Sequence, residues 1–366
     1  MRIAGTVVFP DRVAAGWVEI EGERIGVVGE GRPPGAAEPV DGLIAPGLCD
    51  LQVNGAIGRE VVEGPEALAA IDAHQLRSGV TNYLATVISR PFEAIAEGLE
   101  AIAEAVHAPE AGACGVHFEG PFLNPDWRGI HRREHVREAV EALPAWYERP
   151  EVRLVTLAPE LPGALEAVRE LSRRGVAVSL GHTGAGPEAA RRAVEAGARA
   201  VTHVFNAMPG LHHREPGFVG WALEEPRVAV GVIPDGVHVS PTGLRLVRAM
   251  AGPRILLVSD SSPATGAPEG TYSFGGVEIR REGERALDAE SRLAGSCIDL
   301  AEGLRRWVGH TGAPLPEAFN AASVRPGRLI GLELGVRQGA LADLVVWSQD
   351  LEVRRIMRRG AWLDDL

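Results

Sequence analysis

The chain has 366 residues, of which 45% are hydrophobic and 23% charged, a composition typical of a folded globular protein rather than a disordered one. Its formal net charge of -12 argues against nonspecific binding to nucleic acid or an anionic membrane, because both would require clustered positive charge. The opening segment lacks the features of a signal peptide, and no apolar stretch is long enough to span a bilayer. We therefore expect a cytoplasmic protein.

Two residue types restrict the possible chemistry. Lysine is absent, so all 37 basic residues are arginine, which excludes mechanisms that need a Schiff-base, pyridoxal-phosphate or P-loop lysine. A carbamylated lysine that bridges two metals is excluded for the same reason. The three cysteines, Cys49, Cys114 and Cys297, are odd in number and far apart, so we expect buried free thiols.

Apolar, β-branched segments alternate with helical patterns through the middle of the chain, as in the βα units of a parallel sheet. The segments between them start with proline and end near glycine, which are common helix limits. The predicted strands number eight, enough to close a (β/α)8 TIM-like barrel. They begin, in chain order, at Leu43, Val80, Ala113, Val152, Val176, Ala200, Val228 and Ile255.

Both chain ends show short strands and turns instead of this alternation. Because isolated hairpins of such length are barely stable, the two ends are predicted to join in one small β-sandwich domain. This domain would comprise residues 1–44 and 336–366, and the barrel domain residues 45–335. A charged segment with hairpin-like alternation, at about residues 261–295, is predicted to be an insertion beside the mouth of the barrel.

Five residues that can bind a metal or transfer protons fall at the ends of predicted strands: Glu119, His182, His203, His238 and Asp260. A parallel barrel brings the carboxyl ends of its strands together at one mouth, so these residues would share a site. One carboxylate and two imidazoles form a common catalytic zinc set that leaves one coordination position for water. Taken singly, the glutamate could pair with arginine and each histidine could be a hydrogen-bonded core residue.

The last two of these residues have alternative interpretations as well. Asp260 could take a proton from water and return it to a leaving group, or it could only cap a helix. His238 could orient a substrate or polarise its carbonyl, or it could only satisfy a strand-end carbonyl. Their order along the chain favours a functional role for both.

Several segments carry a resemblance to a known family: PGLCDLQVNG, HFEGPFLNP, GHTGA, THVFNAM, REPG, DGVHV, VSDSSPATG, LAGS and GALADLVV. Together they closely resemble the N-acetylglucosamine-6-phosphate deacetylases of the amidohydrolase superfamily. The resemblance implies hydrolysis of the acetamide of N-acetyl-D-glucosamine 6-phosphate to D-glucosamine 6-phosphate and acetate. It also implies that Glu119, His182 and His203 bind the metal, that Asp260 is the general acid/base, and that His238 contacts the substrate.

The resemblance further implies substrate-binding roles for His131, Asn206, Ala207 and Arg214. Arginine suits phosphate recognition because its guanidinium is planar and permanently charged. In this family the arginine that matches Arg214 is thought to reach the active site of a neighbouring subunit. The resemblance therefore suggests a homodimer.

One departure from the superfamily pattern concerns the first strand, which usually ends in HxH but here carries Gln52 and Asn54. Neutral amides are poor zinc ligands, so the resemblance implies one divalent ion per subunit, with Gln52 and Asn54 as supporting or vestigial second-metal positions. Zn²⁺ is the expected ion, and Fe²⁺, Co²⁺ and Mn²⁺ are alternatives. His117 lies two residues before Glu119 and so faces the same side of its strand, where a supporting role is favoured over that of an extra ligand.

Two other classes of function remain open. One is another metal-dependent amidohydrolase, which would act on a cyclic amide, an N-acyl amino acid or a different N-acyl sugar. The other is a noncatalytic sugar-phosphate binding protein. Four histidines, His74, His107, His135 and His310, are expected to have no catalytic role, and His212 and His213 remain unassigned.

Overall fold

The computed structural model describes residues 1–108 and 111–363. A parallel sheet of eight strands forms its centre, and these strands adjoin one another in chain order. Val53, at the end of the first strand, bridges Ser261 just beyond the last one, so the sheet closes on itself. The predicted (β/α)8 barrel is confirmed. Its strands are Leu48–Val53, Val80–Ile88, Ala113–Glu119, Val152–Leu157, Ala177–Leu180, Ala200–Val201, Ala229–Val232 and Ile255–Leu257.

Helices connect most of these strands: Pro65–Arg77, Phe92–His107, Ala164–Arg173, Pro187–Ala196, Gly217–Glu224 and Pro241–Ala251. The helix Ala164–Arg173 shows why they form, because its buried residues recur at helical spacing and give one apolar face: Ala164, Ala167, Val168 and Leu171. By contrast, every position of the strand Val80–Ile88 is buried, as expected of a parallel strand covered on both sides.

The connection from the third to the fourth strand differs from the others. Residues 120–151 are all described and contain only three short 3-10 helices, Pro125–Trp127, Arg133–His135 and Ala145–Glu148. After the last strand, the chain continues through helices at Leu300–Thr311, Leu315–Phe319 and Arg325–Leu329, with a π-helix at Asn320–Val324. The ring of helices is therefore interrupted at the third crossover.

Both chain ends join in one seven-stranded sheet outside the barrel. Its strand Glu38–Pro46 pairs in parallel with Arg2–Val8 and antiparallel with Leu344–Trp347, which ties the two ends together. The domain limits 1–44, 45–335 and 336–366 stay a prediction, and residues 364–366 lie outside the described residues. The strands of this sheet are Arg2–Val8, Val13–Glu21, Arg24–Glu30, Glu38–Pro46, Leu344–Trp347, Val353–Arg358 and Ala361–Leu363.

The expected first barrel strand was wrong in its limits. The segment from Leu43 divides into the end of Glu38–Pro46, which belongs to the small sheet, and the barrel strand Leu48–Val53. Gly47 separates the two, and a Cβ atom there would lie 2.2 Å from Oγ1 of Thr81. A residue without a side chain is needed because the chain passes so close to the second barrel strand.

The segment after the eighth strand forms a three-stranded antiparallel sheet, Gly270–Phe274, Val277–Glu282 and Arg285–Asp288. Its first turn is held by Glu60, whose carboxylate oxygens accept hydrogen bonds from the backbone N–H of Gly275 at 3.2 and 3.1 Å. Glu60 also accepts a bond of 2.6 Å from Arg90. These contacts fix the insertion against the barrel.

The free thiols lie mainly in the interior: Cys49 and Cys297 are buried, and Cys114 is partly buried. Within residues 1–108 and 111–363, no helix is both long enough and apolar enough to cross a membrane.

Candidate metal centre and active site

A cavity of about 340 Å³ opens where the barrel strands end. Its lining combines residues that directly follow strands with residues from the third crossover and the insertion. Most of the residues predicted from the sequence line this one cavity: Glu119, His131, His182, His203, Asn206, Ala207, His238 and Asp260. The five strand-end residues, Glu119, His182, His203, His238 and Asp260, thus meet at one mouth, and their chemical roles stay predictions.

Three donor atoms converge at the base of the cavity. Nε2 of His182 and Nε2 of His203 each lie 3.1 Å from Oε1 of Glu119 and 3.1 Å from one another. All three residues are buried, and their ligand atoms lie within 4.8 Å of one another. Two imidazole nitrogens and one carboxylate oxygen are a donor set that suits a divalent transition-metal ion.

The hydrogen bonding around these residues fits a metal site. Nδ1 of His182 lies 3.0 Å from the backbone oxygen of Trp127, so Nδ1 carries the proton and Nε2 presents its lone pair. Burial alone would raise the pKa of the Glu119 carboxyl, but His182, His131 and His203 outweigh it and hold that pKa well below its usual range. Glu119 is therefore an anion in the site, as a metal ligand must be.

Backbone geometry helps to direct these side chains. His182, His203 and Asp260 have φ angles of 49°, 28° and 48°, in the left-handed region that non-glycine residues seldom adopt. Such conformations cost free energy and cluster at functional sites. Each follows the end of its strand, where the turned backbone can aim the side chain into the mouth.

The amide side chains of Gln52 and Asn54 each donate to a carboxylate. Nε2 of Gln52 donates to Oε1 of Glu119 at 2.9 Å, and Nδ2 of Asn54 donates to Oδ1 of Asp260, also at 2.9 Å. Burial and the negative charge of Glu119 raise the pKa of Asp260 well above its usual value. Asp260 lines the same cavity as the three donor residues, as a proton-transferring group would.

His238 has a partner that the sequence analysis missed. Its Nδ1 lies 2.6 Å from Oδ2 of Asp235, whose Oδ1 accepts the backbone N–H groups of Val237 and His238 at 2.9 and 2.7 Å. Burial would raise the pKa of Asp235, but its bonds to His238 and the charge of that residue lower it. Asp235 stands three residues before His238 in PDGVH, a spacing that could have signalled the pair.

His131 and His117 are both buried but differ in their surroundings. Nδ1 of His131 accepts the backbone N–H of Ser89 at 3.3 Å, and its Nε2 lies 3.7 Å from Oε2 of Glu119. His117 contacts the backbone oxygen of Leu51 through Nδ1 and the hydroxyl of Thr156 through Nε2, at 3.0 and 2.8 Å. Burial lowers its pKa to about 4. Both nitrogens of His117 thus bond to the barrel interior, which agrees with a supporting position.

Arg214 does not line this cavity, and its whole segment is exposed. Its predicted role at a partner's site therefore stays a prediction. The cavity does contain two arginines that the sequence analysis missed, Arg128 and Arg292. Arg292 already pairs with Asp288, whereas Arg128 donates at 3.1 Å to the backbone oxygen of Pro125. Both come from loops whose paths strand patterns do not predict.

Comparison with known proteins identifies the family of this chain. Residues 43–363 match the model of the amidohydrolase family. The chain belongs to the amidohydrolase family. Among the curated relatives of this amidohydrolase, the N-acetylgalactosamine-6-phosphate deacetylase of Escherichia coli O157:H7 is 35% identical over 359 residues, which cover 94% of this chain and 95% of that one. The human N-acetylglucosamine-6-phosphate deacetylase is 36% identical over 331 residues, covering 85% and 81% of the two chains.

Solved structures of deacetylases have the same fold as this amidohydrolase. A variant of the N-acetyl-D-glucosamine-6-phosphate deacetylase of Mycobacterium smegmatis, in complex with N-acetyl-D-glucosamine-6-phosphate, superposes with a TM-score of 0.92 at 34% identity. That match covers 99% of this chain and 98% of the other. The N-acetylglucosamine-6-phosphate deacetylase of Thermotoga maritima gives a TM-score of 0.90 at 28% identity and covers 99% of each chain.

Proposed function

We propose that this amidohydrolase hydrolyses the acetamide of N-acetyl-D-glucosamine 6-phosphate to D-glucosamine 6-phosphate and acetate, in the breakdown and recycling of amino sugars. The observation that carries the proposal is the convergence of Glu119, His182 and His203 beside Asp260 in one cavity. Relatives that are 32 to 36% identical over most of the chain act, by name, on 6-phosphorylated N-acetylhexosamines, which supports the choice of substrate.

The proposal includes one divalent metal ion per subunit, with Zn²⁺ as the first candidate and Fe²⁺, Co²⁺ and Mn²⁺ as alternatives. Glu119, His182 and His203 would hold it. When bound, such an ion lowers the pKa of a water molecule and polarises a carbonyl group. The fixed Nδ1 proton of His182 keeps the Nε2 lone pair of that ligand toward the ion.

The protein groups then move protons and bind the substrate. Asp260 accepts the proton of the attacking water and delivers it to the amide nitrogen as the C–N bond breaks, which yields the free amine and acetate. Asp235 holds the Nδ1 proton of His238, so the ring would donate to the carbonyl oxygen through a second proton, carried on Nε2. His131, buried beside Glu119, is also proposed to contact the substrate.

Replacing Asp260 with Asn tests the proton-transfer role. We expect kcat to fall by about 10²–10⁴-fold, the usual range for the loss of a general acid/base, while metal content and substrate binding stay near wild type. Steady-state kinetics and metal analysis of the purified variant measure these quantities. A variant that retains near-normal turnover would refute the role.

The phosphate is proposed to bind Asn206 and Ala207, together with Arg214 from the other subunit of a homodimer. Asn206 and Ala207 line the cavity, and Arg214 is exposed and able to meet a second chain. Light scattering measures the oligomeric state, and Arg214→Ala should raise KM for the phosphosugar more than it lowers kcat. A monomer with full activity would contradict the shared site.

The cytoplasmic location also stays a prediction.

Acetate release from four substrates tests the function itself: N-acetylglucosamine and N-acetylgalactosamine, each with and without the 6-phosphate. We expect the phosphorylated glucosamine derivative to have the highest kcat/KM. Its galactosamine counterpart is the second candidate, because the relative from Escherichia coli O157:H7 is named for that sugar. If metal-loaded protein releases no acetate from either phosphosugar, the proposal fails, and acyl amino acids and cyclic amides become the substrates to test. Failure to retain a divalent ion would favour a binding protein.

A further inference from the structure

The two amides at the end of the first barrel strand serve two different carboxylates. Gln52 and Asn54 are 2% exposed and stand two residues apart, so both side chains point the same way from the strand. Gln52 donates to the carboxylate of Glu119, and Asn54 donates to that of Asp260. One strand end thus contacts both the proposed metal ligand and the proposed acid/base.

The chain at both positions is tied to the end of the last barrel strand. The backbone N–H of Gln52 donates to Oδ1 of Asp50 at 3.1 Å, and that oxygen also accepts the N–H of Ser259 at 3.2 Å. Asn54 donates to the backbone oxygen of Ser261 through both its main-chain N–H, at 3.0 Å, and its Nδ2, at 3.1 Å. These bonds join the first strand to the end of the last one and fix the backbone at Gln52 and both the backbone and the side chain of Asn54.

The orientation of the amides follows from the chemistry of their partners. The ionised carboxylate of Glu119 only accepts hydrogen bonds, so the NH₂ side of Gln52 must face it. The backbone oxygen of Ser261 also only accepts, so the NH₂ side of Asn54 must face Ser261 and Oδ1 of Asp260. An amide nitrogen has no lone pair to offer a metal, and its hydrogens occupy the space between the first strand and the two carboxylates. The pair therefore supplies hydrogen-bond donors to the carboxyl groups of Glu119 and Asp260.

We propose that the two amides are positioning residues with separate effects: Gln52 orients Glu119 for metal binding, and Asn54 orients Asp260 for proton transfer. The second half rests on the proposed function. Gln52 bonds Oε1 of Glu119, the same oxygen that faces both imidazoles, so its loss loosens a metal ligand. Asn54 engages Oδ1 of Asp260 and leaves the other carboxylate oxygen for the reacting proton.

Two substitutions that keep volume but remove the donor test this separation, Gln52→Met and Asn54→Leu. The metal is first removed from each protein and Zn²⁺ is then added, and competition with a chelator gives the dissociation constant of Zn²⁺. The values of kcat and KM are measured at saturating Zn²⁺. Gln52→Met should weaken metal binding about 10–100-fold, the usual cost of losing such a partner, with kcat near wild type. Asn54→Leu should lower kcat by a similar factor with KM and metal affinity unchanged.

The chain offers matched controls away from the cavity. Gln75 is a buried glutamine whose amide atoms have no partner among the described residues, so Gln75→Met reports the effect of the substitution alone. Nδ2 of Asn82 donates to Oδ2 of Asp343 at 2.9 Å, the same kind of bond as Asn54 makes, so Asn82→Leu controls for its loss elsewhere. Neither control should change metal affinity or kcat. If Gln52→Met or Asn54→Leu does not fold, Gln52→Asn or Asn54→Ser is used in its place, because each shortens the side chain that carries the donor.

The outcomes separate the two proposals. If both variants change the same quantity, or neither changes any, the division of roles is wrong even though wild-type protein releases acetate. If wild-type protein releases no acetate, the proposed function fails, and the role of Asn54 fails with it. The Zn²⁺ titration of Gln52→Met then still decides the role of Gln52, because it needs no turnover.

Discussion

Asp235 makes three hydrogen bonds to the segment that carries His238, and both residues are largely buried. A carboxylate at this position requires the proton on Nδ1 of the imidazole and fixes the plane of the ring. The other ring nitrogen, Nε2, therefore meets the cavity in one orientation. At the scale of single residues, function in this site depends on such pairs rather than on isolated side chains.

Asp235→Asn tests this pair. The Asn oxygen can still accept the two backbone N–H groups, but its NH₂ group then faces Nδ1 and requires that nitrogen to accept. We expect the other tautomer of His238, visible in the ¹⁵N NMR shifts of the ring, and a loss of about 10–100-fold in kcat/KM. The same substitution in a His238→Asn background should cost nothing further. Additive losses would mean that Asp235 acts independently of His238.

The sequence predicted the residues of the site better than their partners. Glu119, His203 and Asp260 could be placed together because barrel topology fixes where strands end, and all three line the cavity. The partner Trp127 could not, because it depends on the path of a loop, whereas the spacing of Asp235 to His238 in PDGVH was a signal for the other partner. Nor does any pattern in the sequence predict left-handed backbone at non-glycine residues. The chemical role of each site residue stays a prediction.

At the scale of elements, one carboxylate ties the first turn of the insertion to the barrel. Glu60 bonds both to the turn at Gly275 and to Arg90, and Phe274, next to this turn, lines the cavity. Glu60→Ala should release the turn, increase hydrogen exchange across residues 270–288, and raise KM several-fold, because a wall of the cavity becomes mobile. Mass spectrometry of exchanged amides measures the first effect. Glu278→Ala, at an exposed position of the same sheet, is the control and should change neither.

The junction of the first and last strands predicts a pH effect on stability. Burial raises the pKa of Asp50 to about 7, whereas an unfolded aspartate titrates near 3.9. Between these values the folded chain holds a proton that the unfolded chain has lost, so stability falls as pH rises from about 4 to about 7. Asp50→Asn cannot ionise. The unfolding free energy of this variant should therefore rise relative to that of wild type by up to about 4 kcal/mol between about pH 4 and about pH 7, since one pKa unit corresponds to about 1.36 kcal/mol.

Urea unfolding of metal-free protein at pH 5 and pH 8 measures the difference between Asp50→Asn and wild type. The substituted amide keeps an oxygen for the N–H groups of Gln52 and Ser259. An equal difference in unfolding free energy at the two pH values would contradict a raised pKa in the folded state.

At the scale of the whole molecule, Trp347 joins the small sheet to the barrel. It is fully buried, its ring centroid lies 5.7 Å from that of Phe319, and a Cβ atom at Gly79 would lie 2.7 Å from it. Trp347→Ala should destabilise the protein by about 3–5 kcal/mol, as is usual when a large buried ring is removed. Denaturant unfolding measures this loss.

Trp347→Phe is the matched control. The indole Nε1 of Trp347 is buried and has no hydrogen-bond partner in the described part of the chain, so its removal forfeits no bond. We expect a clearly smaller loss of stability than for Trp347→Ala. Equal losses would mean that the ring does not contribute through packing.

Much of the global architecture was predictable because it follows from periodic patterns. Eight buried strands are visible as apolar segments and the two chain ends as short strands with turns, and the structure contains both. The limit of the first strand was not predictable, because the segment from Leu43 is apolar on both sides of Gly47. Only the close approach of the backbone at Gly47 to the side chain of Thr81 divides this segment. Contacts between distant parts of the chain leave no local pattern.

The third crossover has a consequence for how this enzyme could change. Its first half supplies Trp127, Arg128 and His131 to the cavity from 3-10 turns and loop rather than from a helix of the outer ring. Loops of this kind tolerate substitution and changes of length better than the elements they connect. Libraries aimed at new acyl groups or sugars are therefore best confined to this loop, outside His131 and Trp127, whose backbone oxygen bonds His182, so that the strands and the proposed metal ligands stay unaltered.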